Sequence, residues 1–185
     1  MNKRLKKLWD LIPLMILWLM VSVFFWGWIF TFLTDAPAEN KISLFVDVEK
    51  LDSKPLALAM EEQLSGDIHM VKVHPFTYAM MDSTPLQHAD MFIVPLSKWE
   101  EYEGWFRPLP EELQALGPVL QKDNTALGLL VYDPAQEGGA ARSYIPYQQE
   151  EYYLFFGQES YHIKDNQNAV DDEAIRYARW LLQLP

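Results

Sequence analysis

The chain has 185 residues, half of them hydrophobic, no cysteine, and fifteen Lys and Arg against twenty-six Asp and Glu, for a net charge of −11. So acidic a composition argues against nucleic acid as a partner, because neutralising phosphates needs a basic face. Without cysteine there are no disulfides, no thiol catalysis, no thiolate metal site and no lipid attachment through sulfur.

Residues 1–10 form a basic leader carrying Lys3, Arg4, Lys6 and Lys7, and residues 11–33 are an uninterrupted apolar run. Those twenty-three residues reach about 34 Å as a helix, enough for a hydrocarbon core of about 30 Å. Backbone in lipid must satisfy its own hydrogen bonds, so the run is predicted as a transmembrane helix and the bilayer as its partner. Pro13 is read as lying in the first turn, where its missing N–H costs little. Trp9 at one end and Trp26 and Trp28 near the other are suited to the membrane interfaces. Asp35 and Glu39 follow the run, so the positive-inside rule predicts a cytoplasmic N-terminus and an outer C-terminal domain at the cell membrane. Ala36-Pro37-Ala38 resembles a signal-peptidase site. Signal h-regions are usually about 7–15 residues, however, and this run is longer and rich in Trp and Phe, so a retained signal-anchor is expected.

Residues 34–41 are a short linker, reaching at most about 25–30 Å, so the domain is expected to work close to the membrane. From Ala36 onward eleven basic residues face twenty-four acidic ones, a balance of −13. Residues 42–185 suffice for one domain with a real core.

Within that domain, Ile42 to Val48 is apolar, β-branched and aromatic, and reads as a buried first strand. A helix is expected to begin at Pro55, capped by Asp52 or Ser53, with Leu56, Ala59, Met60 and Leu64 on one face. Ile68 to His74 alternates and reads as a second strand, and Met91 to Val94 as a third, ended by Pro95. Ser97 is placed to cap a short helix carrying Trp99 and Tyr102, and Glu111 to Leu116 is a further helical turn stopped by Gly117-Pro118. Ala126 to Tyr132 is strand-like. Tyr144–Tyr147 and Tyr152–Phe156 read as a hairpin-like pair around Gln148–Glu151. A helix from about Asp171 to Leu184 closes the chain, with Ile175, Ala178 and Leu182 inward. The order of elements predicts a small α/β domain.

No nucleophile elbow, zincin motif, Walker A loop or dinucleotide fingerprint is present, so no catalytic residue is assigned and no enzyme is expected. His69 and His74, five apart on a strand, point to opposite faces. His88-Ala-Asp90 has a spacing open to metal but reads as a surface histidine before a strand, so neither metal nor cofactor is expected. Asp47 ends the first strand, where α/β domains place ligand contacts, although a turn or a helix cap is the first reading. Asp171-Asp172 reads as a helix start. An enzyme would require Asp47, Asp90 and Asp133 to converge in one cleft. Two aromatic clusters, Trp99/Tyr102/Trp105/Phe106 and Tyr144 to Phe156, are read first as core and second as a binding surface.

Lys41-Ile-Ser-Leu-Phe-Val-Asp47, His88-Ala-Asp-Met-Phe-Ile-Val-Pro95 and Trp105-Phe-Arg-Pro-Leu109 together resemble the first lobe of the extracellular solute-binding proteins of bacterial ABC importers. Ala126 to Asp133 and Tyr152 to Gly157 look like segments of small membrane-anchored bacterial proteins sharing that lobe. The resemblance implies one lobe of a periplasmic-binding-protein fold, with Asp47, Trp99 and Trp105 nearest the cleft mouth as ligand-binding candidates. It departs from the family in having room for one lobe only and no lipobox cysteine. The expected function is a non-catalytic, membrane-anchored, extracytoplasmic binding domain for a small solute, accessory to a membrane transporter component. The competing expectation is an interaction or structural ectodomain with no small ligand.

Overall fold

The computed structural model describes residues 3–34, 36–64, 66–76, 83–136, 138–164 and 169–185. It divides into two compact units, Met1–Ala36 and Pro37–Pro185. The first is a single helix, α1 (Lys3–Thr34), whose stretch Leu11–Phe30 is long and apolar enough to cross a membrane and has no buried residue. Because α1 runs back through the basic leader, Pro13 lies inside the helix rather than in its first turn. There it removes the hydrogen bond that would reach the Trp9 carbonyl. Ser22 Oγ donates to the Trp18 carbonyl at 2.8 Å, so its hydroxyl is satisfied within its own helix.

The second unit is mixed α/β. Its strands are β1 (Lys41–Val46), β2 (Met70–Pro75), β3 (Met91–Pro95), β4 (Phe106–Arg107), β5 (Val119–Lys122), β6 (Thr125–Tyr132) and β7 (Tyr152–Gly157). They form one seven-stranded sheet in the order β2-β1-β3-β7-β6-β5, with β4 beside the end of β7. β1 pairs in parallel with β2 and β3, whereas β7 enters antiparallel between β3 and β6. The helices are α2 (Ser53–Glu61), α3 (Thr84–Gln87), α4 (Glu111–Gln114) and α5 (Glu173–Gln183), and Trp99–Trp105 is a 3₁₀ helix.

The central strands are near-continuous apolar runs because both faces of the sheet are covered. On one face Ile42, Leu44, Val46, Met91, Ile93, Leu154 and Phe156 meet Leu56 and Met60 of α2 and Ala174, Tyr177, Ala178 and Leu181 of α5. The alternate residues Phe45, Phe92, Val94, Tyr153 and Phe155 form a second core with Phe76, Leu86, Trp99, Tyr102 and Phe106. This second core is mainly aromatic, with Phe106 stacked on Phe155 at 4.2 Å and Phe76 edge-on to Tyr102 at 4.5 Å. Gly157 brings β7 against the turn before β3, and a Cβ there would lie 1.8 Å from the Ala89 carbonyl oxygen.

Several expectations shift. α2 starts two residues before Pro55, with Asp52 accepting from the Lys54 amide at 3.3 Å, and Leu64 lies outside it, exposed. Ser97 caps nothing: the 3₁₀ helix follows Lys98, and the Ser97 amide donates to Glu150 Oε2. Residues 144–147 are not a strand. The Tyr144 and Ile145 amides turn back to the Ala141 carbonyl, and the neighbours of β7 are β3, β4 and β6. β4 and β5 were not anticipated.

Candidate functional site

The parallel strands β1 and β3 and the antiparallel pairings beyond them bring Val46, Pro95, Tyr152 and Tyr132 to one edge of the sheet. Asp47 leaves β1 at this edge, its amide donating to the Ile93 carbonyl at 2.8 Å, so its side chain is fixed at the end of the strand. It is 8% exposed and is not a helix cap. Lys98 Nζ donates to both of its carboxylate oxygens at 3.0 Å. Burial works against the Lys98 charge, but the hydrogen bond and charge of Asp47 outweigh it and hold the ammonium above its ordinary range. The pair lies in a cleft of about 230 Å³ with Val48, Glu49, Phe76, Pro95 and Gln148. Such strand-end crevices are where α/β sheets place ligands.

The three sequence candidates are not brought together. Asp47 lines this cleft, but Trp99 is 8% exposed and belongs to the aromatic core, parallel to Phe155 at 6.5 Å and under Lys122 Nζ at 5.6 Å. Trp105 is half-buried and lines a separate groove of about 430 Å³ with Gln87, His88, Gly104, Gln158 and Glu159. That groove lies at the opposite end of β3, beside residues that precede Met91 and follow Gly157. Lys98 and Gln148, the other polar walls of the Asp47 cleft, were missed. Neither had a local signal, since Lys98 is 51 positions from Asp47 and meets it only through the fold.

Asp47, Asp90 and Asp133 do not converge either. Asp133 sits at the same edge as Asp47 but three strand spacings away, about 14 Å. Its two oxygens accept from the Ala135 amide and Gln136 Nε2. Asp90 precedes β3 at the far end and is 1% exposed. Its Oδ2 accepts from the Ser43 amide at 2.8 Å and its Oδ1 from Ser160 Oγ at 2.6 Å. Burial pushes Asp90 up to about 6, against the pull of His162 and of these two donors. His88 is not free for a metal: its ring packs on Tyr161 at 5.1 Å, and among the described residues no group of three or more His, Asp or Glu is arranged to hold an ion.

Comparisons with protein families, with curated proteins and with solved structures give no match, so nothing in them links the chain to solute-binding proteins.

Proposed function

We propose that the chain is a single-pass membrane protein whose outer domain binds a small charged solute without chemical conversion, in the manner of one lobe of a solute-binding protein and accessory to a membrane transporter. The observation that carries this reading is the strand-end cleft of about 230 Å³, whose wall includes a buried carboxylate paired at 3.0 Å with a half-exposed ammonium. Glu49 and Gln148 add polar wall, while Phe76 and Pro95 supply an apolar floor. This mixture suits a solute bearing charge better than an apolar one. The N-terminus is assigned to the cytoplasm and the domain to the outer face of the cell membrane, on the basis of the charge asymmetry around residues 11–33.

Thermal unfolding of the full chain in detergent micelles, against amino acids, short peptides, sugars and metal ions, tests it. A solute at 100 times its Kd stabilises by about 2.7 kcal/mol, or roughly 5–10 °C for a domain of this size. The shift should disappear in Lys98→Met while that variant remains folded. No shift across the panel would favour the second reading, an interaction ectodomain. One observation already leans that way: the aromatic side chains of Trp99 and Tyr102, which a sugar or peptide site would present, are consumed by the core.

A further inference from the structure

His162 is entirely buried in a part of the fold that the strand-end cleft does not use. Its Nδ1 faces Asp171 Oδ1 at 2.8 Å and its Nε2 faces the Ala38 carbonyl oxygen at 3.3 Å. Both partners are acceptors, so only the doubly protonated ring can donate to both at once. The backbone fixes it in place: the His162 amide donates to Ser160 Oγ at 3.1 Å, and its carbonyl accepts from the Ala174 amide at 3.2 Å. Asp171 Oδ1 also accepts from the Glu173 amide at 2.9 Å and so joins the ring to the start of α5. Ala38 opens the short 3₁₀ turn Ala38–Asn40, which leads directly into β1.

We propose that His162 is a proton-controlled clasp: its imidazolium holds the 38–40 turn, through which the apolar helix joins the sheet, to the start of α5, and loss of the ring proton releases that turn. A neutral ring has one N–H to give. The charged Asp171 oxygen keeps it, and the Nε2 lone pair is then left facing the Ala38 carbonyl across 3.3 Å. Two acceptors, a ring nitrogen and a carbonyl oxygen, repel when no proton lies between them, so it is the contact with the turn that fails, while the Asp171 side stays closed.

The charged groups facing the ring are Asp90 from the start of β3 and Asp171 from the turn before α5; the 38–40 turn contributes only its carbonyl. Lys164, beyond the ring, is engaged with Asp172 at 2.9 Å. Burial lowers the ring's proton affinity, but the charge of Asp90 and the hydrogen bond and charge of Asp171 outweigh it, so His162 is held above its ordinary value. A group raised in the fold stabilises fully below its unfolded value, about 6.5 for histidine, and loses that contribution as pH rises through the folded value. Asp90 has the same sign, because its rise from 3.8 to about 6 makes the fold hold a proton that the unfolded chain has already released. Both groups therefore make the fold tighter in mild acid than at neutral or alkaline pH. The clasp stays closed in acid, since the ring keeps both N–H groups there and still faces Asp171 and the Ala38 carbonyl.

The test uses the full chain in micelles, labelled with ¹⁵N, between pH 5 and 9. Ring nitrogen shifts follow the His162 proton directly. Amide exchange, corrected for its intrinsic pH dependence, follows Asn40, which donates to Pro37, and His69, which donates to Asn40. Both amides should lose protection at least tenfold over the range in which the ring titrates, while the β7 amide of Phe155 does not. His162→Gln should flatten that pH profile, His88→Gln should leave it unchanged, and Asp171→Asn should move it to lower pH. A ring that is neutral throughout, protection at residues 40 and 69 that ignores the ring, or an equal loss at Phe155 would overturn the clasp. The wild-type ring and amide data decide the matter even if a variant fails to fold.

Discussion

The Asp47–Lys98 pair makes an asymmetric demand on its two residues. The Asp47 side chain is 9% exposed and that of Lys98 46%, so only one of them can turn to water when its partner is lost. Lys98→Met leaves a carboxylate in place without a donor, whereas Asp47→Asn leaves an ammonium that reaches solvent through its flexible stem. We expect Lys98→Met to cost about 1–2 kcal/mol and Asp47→Asn under about 1 kcal/mol, below the cost of breaking a fully buried pair because one partner is wet. The double variant should recover most of the Lys98→Met loss. Urea midpoints of the four proteins measure the cycle; equal losses in the two single variants would mean that Asp47 finds water or another donor. The residue-scale reading from sequence reached Asp47 through its place at a strand end, which is local information. It could not reach Lys98, because fifty-one positions separate the two and only the β1–β3 pairing brings them together.

Among the elements, the β5–β6 hairpin makes the most local commitment. Asp123 and Asn124 connect the two strands with φ of 50° and 64°, a left-handed pair that matches the twist of a two-residue hairpin turn. Asp and Asn tolerate this region and Gly does so at no steric cost, so Asp123→Asn with Asn124→Gly should stabilise by about 0.5–1 kcal/mol. That corresponds to a rise in Tm of about 1–4 °C by thermal unfolding; a fall would mean that these side chains make contacts beyond the turn. The same dipeptide was the overlooked sign of β5, since Val119–Lys122 is too short and too exposed to show an apolar pattern. Where burial is strong the elements were legible: β1, β3, β6 and α5 appear close to their expected places because sheet and helix periodicities survive in Leu, Ile, Val and Phe. The failure at residues 144–147 has a tertiary cause. Tyr147 lies parallel to Tyr132 at 4.5 Å and donates its hydroxyl to the Ala140 carbonyl, so its aromatic character serves packing over the end of β6 rather than a strand. Trp99, read first as core and second as a cleft residue, packs in the core, and the two readings stood side by side because an indole in the core and an indole in a cleft look alike in one dimension.

At the scale of the whole molecule, the chain is two units with opposite solvent preferences. The apolar stretch of α1 follows four basic residues, and the acidic domain continues from Pro37. If the leader charges set the orientation, Lys3, Arg4, Lys6 and Lys7 hold the N-terminus inside because moving them across a bilayer is costly and the flanking Asp35 contributes little. The native chain has no cysteine, so a single Lys50→Cys variant provides an unambiguous mark on the domain. In intact cells a membrane-impermeant maleimide should label that cysteine nearly completely. Replacing all four leader cations with Glu should reduce the labelling severalfold by inverting or stalling the chain. The intact mass of the membrane fraction separates anchor from signal peptide: a retained anchor gives 21.6 kDa, whereas cleavage at Ala36-Pro37-Ala38 removes the helix and sends the domain to the soluble fraction. A cleaved, soluble domain would dissolve the argument for a tethered partner, and with it any consequence of the His162 clasp for the junction between helix and sheet. A full-length, outward-labelled chain would leave the 38–40 turn as the place where the pH of the outer solution meets the membrane attachment.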